Sequence, residues 1–362
     1  MSSLPIYYYY YTVQAQRTSL IRQLYRFPID VVEELTTCCA STIMVNSEFT
    51  LSVFRSTFTF VAEALHANPK VVYPAVSTAT IAFSDAVTEN SKSVLASLPD
   101  PAAKFPPSAP LFVSLNRFER KKMVELAILA LAEMKDNHEA SADARAARLL
   151  VAGGYDSRLA ENIEYLDELR KLAADHGVGD RVAFLPNFSS EEREVRFVLF
   201  SPTLHHQCTR VRHAACVHET KRFLMNVLLL FLFVSACTIV SHVRDPFTLA
   251  SCLQKLLRMC IGVVYTPPNE HFGIVPLEAM ASGRPVIACD SGGPRESIVH
   301  GTTGYLSQPT AHGFAEAMAK LADASVALRS EMGKAARQRV EEHFSRTQLG
   351  DSIEEIIKPL FF

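Results

Sequence analysis

From residue 111 onward, short apolar runs alternate with longer segments of helical periodicity, and this alternation restricts the possible fold more than any other feature. Strands are predicted at Leu111–Leu115, 148–152, 181–185, 261–265, 285–289 and Gly304–Ser307. Helices are predicted at 120–134, 158–176, 274–282, 311–323 and 325–344. This pattern favours an α/β fold with a parallel, doubly wound sheet, in which ligands bind at the carboxyl ends of the strands.

The N-terminal part of the sequence is less regular. A strand is predicted at Thr42–Val45, and Asn46 and Ser47 can cap a helix that begins directly after it. Pro28 separates two predicted short helices, because a proline disfavours helical backbone in the residue before it. These two helices are predicted at 19–26 and 29–38.

Composition divides the chain into five segments. Residues 1–16 contain a run of tyrosines and are expected to be irregular, with a non-native origin left open. The proline-rich segment at 100–110 predicts an interdomain linker. The other segments are a partial N-terminal domain at 17–99, a C-terminal domain at 111–345 and a tail at 346–362.

An insertion at residues 195–253 interrupts the alternation of strands and helices and is too long for an ordinary connection. Within it, residues 223–241 carry no charge and are long enough to span a bilayer core of about 30 Å. Three explanations stay open: a true membrane span, a hairpin in the membrane interface, or a non-native insert. The histidines and cysteines of the insertion match no standard zinc spacing.

The strongest functional signal is the sequence YTPPNEHFGIVPLEAMASGRPVIA, which begins with the last residue of the fourth predicted strand. Gly273 permits close backbone approach, and the N–H groups of Ile274 and Val275 open the next helix, where an anion such as a diphosphate can bind. Glu278 lies about one turn into that helix, and its carboxylate can accept hydrogen bonds from two ribose hydroxyls. Glu270, in the preceding loop, can reach the sugar end of the same ligand.

A second signal, NRFERKK, directly follows Leu111–Leu115 and therefore lies at the same edge of the sheet. Arg117 can bind two phosphate oxygens, and Lys122 adds a mobile positive charge, so that both can stabilise a departing diphosphate. Basic residues at a predicted helix start oppose the helix dipole unless an anion binds there. Arg120 and Lys121 are expected to lie at the surface.

These motifs, with the later Gly292-Gly293-Pro294, resemble those of retaining GT-B glycosyltransferases. More closely, LNRFERKK, LLVAGGYDSRLAENIEYLDEL, VVYTPPNEHFGIVPLEAM and SGGPRESI resemble the eukaryotic α-1,3/1,6-mannosyltransferases of dolichol-linked oligosaccharide assembly. LIRQLYRFPIDVVEELTT and IMVNSEFT resemble the second half of that family's N-terminal domain. The resemblance covers roughly residues 17–194 and 254–358.

The resemblance implies a GT-B-type fold of two Rossmann-like domains, of which the N-terminal one is incomplete here, with the active site in the cleft. It implies transfer of mannose from GDP-mannose to a lipid-linked Man-GlcNAc2 core, through α-1,3 and α-1,6 linkages and with retention. The setting would be N-glycan precursor assembly at the cytosolic face of the endoplasmic reticulum membrane.

The resemblance also assigns roles to residues and partners. Arg117, Lys122 and Glu270 would be catalytic, and no metal ion or other cofactor is expected. The backbone near Asn187 and Phe188 would lie beside the guanine. The expected partners are GDP-mannose, a dolichol-diphosphate-linked oligosaccharide and a membrane surface; nucleic acid is not expected, because the formal net charge is -2.

The sequence departs from this family before Gly153, where none of the 14 glycines occurs. The family begins with a glycine-rich loop and includes a His-Phe-Pro-Asp segment, and residues 7–11 stand where that segment would end. The beginning of a full-length enzyme is therefore expected to be missing. Two alternatives stay open: a truncated, non-catalytic nucleotide-sugar-binding protein, or a GT-B transferase that uses another donor, such as a UDP-sugar.

Overall fold

The computed structural model describes residues 6–8, 20–37, 40, 42–58, 69–78, 102, 105–186 and 256–361. Its strands are β1 (Ile6–Tyr8), β2 (Thr42–Val45), β3 (Lys70–Val71), β4 (Leu111–Leu115), β5 (Arg148–Gly153), β6 (Val182–Pro186), β7 (Gly262–Tyr265), β8 (Val286–Cys289) and β9 (Gly304–Ser307).

Ten α-helices lie entirely within these described residues, together with a 3-10 turn at Arg120–Lys122 and a helical segment at 256–259. The helices are α1 (Leu20–Thr37), α2 (Glu48–Thr57), α3 (Glu125–Asp136), α4 (Ala142–Ala146), α5 (Ala160–Asp175), α6 (Ile274–Ala281), α7 (Pro294–Ser297), α8 (Ala311–Asp323), α9 (Val326–His343) and α10 (Arg346–Phe361).

The strands form two sheets, and every neighbouring pair is parallel. The smaller sheet has the order β1-β2-β3, and the larger has the order β6-β5-β4-β7-β8-β9. In the larger sheet the chain runs outward from β4 on one side and outward from β7 on the other. A crevice therefore opens between the carboxyl ends of β4 and β7, where ligands bind in doubly wound sheets. The predicted α/β fold class is confirmed.

Apolar layers cover both faces of the larger sheet. Phe112 and Leu149 point into one layer, where α3, α5 and α8 contribute much of the packing. Val113 and Leu150, one residue further along the same strands, point into the other layer with α6 and α9. Because both faces are buried, these strands are mainly apolar runs in the sequence, which is why their positions could be predicted.

The predicted break at Pro28 is wrong, because α1 runs continuously from Leu20 to Thr37 with Pro28 inside it. Proline removes one backbone hydrogen bond from a helix, but the bonds before and after it can still form. The helical periodicity on both sides of Pro28 therefore outweighs the local cost of the proline.

The predicted helix start at residue 120 is also wrong. Arg120–Lys122 form a 3-10 turn, which ends at Met123 in left-handed backbone conformation (φ 48, ψ 43), and α3 begins only at Glu125. The basic residues thus precede the helix, and an acidic residue occupies its first turn, as the helix dipole favours. The dipole argument for an anion beside these basic residues therefore no longer applies.

Regular structure occurs near both ends of the chain. Ile6–Tyr8 form a strand parallel to β2, although residues 1–16 were expected to be irregular. Most of the predicted tail, Arg346–Phe361, is a helix. The insertion at 195–253 lies outside the described residues, and no helix among the described ones is both long and apolar enough to cross a membrane.

Tyr165 fixes the start of α3 from the neighbouring helix α5. Its buried hydroxyl accepts a hydrogen bond from Val124 N at 2.9 Å and donates one to the Glu125 carboxylate. We expect Tyr165→Phe to lower the free energy of unfolding by about 1–3 kcal/mol, because the buried N–H of Val124 loses its acceptor. Urea denaturation followed by circular dichroism measures this change, and an unchanged free energy of unfolding would contradict the assignment.

Candidate active site

Lys122 and Glu270 meet at the crevice between β4 and β7. Lys122 ends the 3-10 turn that follows β4, Glu270 lies in the loop after β7, and Lys122 Nζ pairs with Glu270 Oε2. Their side chains are 15 % and 24 % exposed, so the pair is partly shielded but open to a ligand. The predicted position of both residues at the carboxyl edge of the sheet is confirmed, and the structure adds their direct contact.

Two residues at the end of β7 support this pair, and the sequence analysis missed both. Thr266 Oγ1 donates a hydrogen bond to Lys122 O at 2.7 Å, which ties the turn to the end of β7. Tyr265 Oη donates to Glu270 Oε2 at 3.3 Å. Their position at the carboxyl end of a predicted strand was the signal that could have found them.

Helix α6 begins beside Glu270 without a side-chain cap. Gly273 has φ +87, and a Cβ on it would lie 3.1 Å from the Tyr265 ring, so that both backbone conformation and space favour glycine. The N–H groups of Ile274 and Val275 are at the helix start, and the partly exposed Glu278 lies one turn further on. This arrangement retains the features of the predicted diphosphate and ribose site; the binding roles themselves stay predictions.

Arg117 lies on the loop after β4 but pairs with a different carboxylate. Its Nη1 lies 3.0 Å from Glu119 Oε1, and its side chain is 57 % exposed. Lys121 also pairs with Glu119, while Arg120 pairs with glutamates of α5, and both lie at the surface as predicted. Of the two predicted cations, Lys122 alone pairs with Glu270 among the described residues. A diphosphate bound by Arg117 would compete with Glu119.

Gly292 and Gly293 pack directly against the backbone of the Glu270 loop. Gly293 N donates a hydrogen bond to Glu270 O at 2.8 Å. A Cβ on Gly292 would lie 2.3 Å from Glu270 O, and one on Gly293 would lie 2.2 Å from Phe272 Cα. In the sequence these glycines counted only toward a family resemblance, and their contact with the Glu270 loop supplies a physical reason for them.

His271 lies between Glu270 and Phe272 and faces α2. Its ring packs edge-on against Phe49, with 5.7 Å between the ring centroids. Burial lowers the pKa of His271 below its ordinary value; the nearby Glu270 acts in the opposite direction, and Lys122 lowers the pKa further. The imidazole is therefore neutral at pH 7.

The backbone near Asn187 and Phe188, predicted to lie beside the guanine, is outside the described residues. The histidines and cysteines of the insertion, which match no standard zinc spacing, are outside them too. Within the described ranges, no group of three or more histidine, cysteine, aspartate or glutamate side chains is arranged to hold a metal ion.

Comparison with known proteins places this geometry in a family. Residues 100–197 and 243–339 match the family described as glycosyl transferases group 1. The alpha-1,3/1,6-mannosyltransferase ALG2 of Mus musculus is 34 % identical over 345 residues, which cover 95 % of this chain and 65 % of the relative. The human protein of the same name is 36 % identical over 330 residues, covering 91 % and 61 %.

A third relative of that name, from Dictyostelium discoideum, is 33 % identical over 354 residues and is covered over 67 % of its length. Among solved structures, sucrose-phosphate synthase from Thermosynechococcus elongatus has a TM-score of 0.62 at 20 % identity, covering 96 % of this chain and 64 % of that one. Anabaena Alr3699/HepE in complex with UDP-glucose has a TM-score of 0.56 at 17 % identity, covering 88 % and 64 %.

The sheet order, the crevice between β4 and β7 and these structural neighbours define a GT-B-type glycosyltransferase fold. The chain belongs to the glycosyl transferase group 1 family and, within it, to the α-1,3/1,6-mannosyltransferases. It spans between 61 % and 67 % of the length of the three relatives described above.

Proposed function

We propose that this chain transfers mannose from GDP-mannose to a lipid-linked Man-GlcNAc2 core, forming α-1,3 and α-1,6 linkages with retention. The observation that carries the proposal is the Lys122–Glu270 pair at the crevice, beside the uncapped start of α6. The named activity of the relatives supports the same reaction class.

In the proposed reaction, the residues of this site have different roles. When the bond between mannose and the diphosphate breaks, negative charge develops on the departing phosphate oxygen. Lys122, Arg117 and the N–H groups of Ile274 and Val275 stabilise that charge, so that no metal ion is needed for it. Once the diphosphate binds Lys122, Glu270 can accept hydrogen bonds from mannose hydroxyls.

The proposed acceptor determines where the chain acts. A dolichol chain is held in a bilayer, so the transferred mannose must be delivered at a membrane surface. We place this chain at the cytosolic face of the endoplasmic reticulum membrane, in the assembly of the N-glycan precursor.

The direct test is a transfer assay with the full chain, radiolabelled GDP-mannose and a synthetic lipid-linked Man-GlcNAc2 acceptor. We expect products with one and two added mannoses, which linkage-specific mannosidases then identify as α-1,3 and α-1,6. UDP-glucose and UDP-N-acetylglucosamine serve as competing donors. GDP-mannose binding without product would favour the non-catalytic alternative, and product from a UDP-sugar would overturn the proposed donor.

Glu278 provides a test of the donor orientation. We expect Glu278→Ala to weaken binding of GDP and GDP-mannose equally, by about 10- to 100-fold, since hydrogen bonds to a charged group contribute about 1.5–3 kcal/mol. Calorimetric titration with each ligand measures the two affinities. The exposed Glu331 on α9 gives a matched control, because Glu331→Ala removes an equal charge from a residue that is not assigned to the site.

The comparison of ligands makes the Glu278 result specific. Both ligands contain the ribose, so a ribose contact must affect both affinities to the same extent. A loss confined to GDP-mannose would mean that Glu278 binds the sugar, and unchanged affinity for both would remove it from the site.

A further inference from the structure

The start of α2 contacts the loop that carries Glu270. Ser47, the N-cap of α2, donates from Oγ to His271 O at 2.5 Å and accepts from Thr50 N at 2.9 Å. Thr50 Oγ1 lies 3.1 Å from His271 Nδ1. Ser47 and Thr50 are both buried, so these contacts are shielded from water. α2 thus holds both the backbone carbonyl and the ring of His271, which directly follows the proposed catalytic residue Glu270.

The Thr50 hydroxyl has a defined role in this contact. It donates its proton to Asn46 Oδ1 at 2.6 Å, so towards His271 it acts as an acceptor. The neutral imidazole therefore carries its proton on Nδ1 and donates to Thr50 Oγ1. Removal of the Thr50 hydroxyl leaves a partly buried N–H without this partner and frees the ring to turn.

A second contact fixes α2 itself. The Glu296 carboxylate accepts from Glu48 N and from Phe49 N, each at 2.9 Å, with one oxygen on each N–H group. Glu296 N in turn donates to Gly293 O at 2.9 Å, and Gly293 N donates to Glu270 O at 2.8 Å. The start of α2, the Gly293 turn and the Glu270 loop therefore form one connected set of hydrogen bonds.

We propose that Ser47 and Thr50 are positioning residues, which hold the Glu270 loop against α2 and so keep the Glu270 carboxylate beside Lys122. The proposal rests on the proposed function for its effect on transfer. A loop held by α2 and by Gly292-Gly293 has little freedom at Glu270. Without α2, the loop would keep its contacts with Gly292-Gly293, the Tyr265 hydroxyl and Lys122, but it would lose both hydrogen bonds to His271.

The test compares Thr50→Val with Thr50→Ser in the full chain. Valine keeps the shape of threonine but removes the hydroxyl, whereas serine keeps the hydroxyl. We expect Thr50→Val to lower kcat for mannosyl transfer by about tenfold or more, because a small displacement of a reacting group is costly. Thr50→Ser should restore most of kcat. Ser52→Ala, which changes an exposed hydroxyl on the same helix, should leave kcat unchanged.

The affinity for GDP distinguishes a positioning role of Thr50 from a general loss of structure in the variant. The ribose contact is assigned to Glu278, and the diphosphate contacts to Lys122, Arg117 and the start of α6, a helix that packs mainly against α9. We therefore expect the affinity of Thr50→Val for GDP to stay within about twofold of the wild type. A parallel loss of GDP affinity and thermal stability would mean that Thr50 is merely structural and would overturn the proposal.

Hydrogen exchange supplies a readout that does not depend on catalysis. We expect the amides of residues 269–273 to exchange about tenfold faster in Thr50→Val, while those of 116–122 keep their rates. If the wild type transfers no mannose, the proposed function fails but this comparison still tests the loop contact. Unchanged exchange at 269–273, or faster exchange with unchanged kcat in an active enzyme, overturns the positioning role.

Discussion

Lys122→Ala is expected to lower the rate of mannosyl transfer by about 100- to 1,000-fold, the usual effect of removing one group that stabilises developing charge. Lys122 is the cation that pairs with Glu270 at the crevice, and its turn is tied to β7 through Thr266. The substitution removes the charge proposed to face the diphosphate and leaves the Glu270 carboxylate partly buried without its cation.

The neighbouring lysine provides the control for that prediction. Lys121 has the same charge and lies in the same turn, but its side chain is 66 % exposed and pairs with Glu119. We expect Lys121→Ala to change the transfer rate by less than about twofold. Steady-state rates at saturating acceptor measure both variants, and circular dichroism checks that each is folded. Equal effects of the two substitutions would show that overall charge, not the Lys122 position, matters.

The elements of the larger sheet could be predicted because their signals are local. A strand buried on both faces is a mainly apolar run, and Leu111–Leu115 was predicted with its observed limits. The carboxyl ends of parallel strands lie at one edge, so the strand positions alone placed Lys122 and Glu270 on the same side of the sheet.

Contacts between distant residues could not be predicted in the same way. The cap of α2 was predicted at Asn46 or Ser47, and Ser47 is the cap, because a cap is decided by the residues beside it. Its hydrogen bond to His271 joins residues 224 positions apart, and no local pattern encodes that contact.

Errors at the helix boundaries have a related origin. The left-handed conformation of Met123 ends the 3-10 turn at Arg120–Lys122, so that α3 begins only after it. Methionine has no sequence preference that predicts this conformation. The turn is held from outside, through the contacts of Thr266 with Lys122 and of Tyr165 with the start of α3. Tertiary contacts thus decided a boundary that periodicity alone placed several residues too early.

Gly292→Ala is expected to destabilise the protein by about 2–4 kcal/mol, from left-handed backbone strain together with a steric clash. Gly292 has φ +63, and the added Cβ would lie 2.3 Å from Glu270 O and 2.9 Å from Glu270 N. These neighbours are backbone atoms, so the Glu270 loop must move as a whole. We expect transfer to fall by about 100-fold or more, because the carboxylate moves away from Lys122.

Gly301→Ala is a control that distinguishes the effect of backbone strain from the effect of the steric clash at Gly292. It also has a left-handed backbone (φ +78), but a Cβ there would have nothing within 4 Å. We therefore expect Gly301→Ala to cost only about 1 kcal/mol of stability and to leave transfer unchanged. Denaturant unfolding and transfer rates of the two variants, measured side by side, test this expectation. If both substitutions lowered transfer equally, the contact between Gly292 and the Glu270 loop would not be what positions the carboxylate.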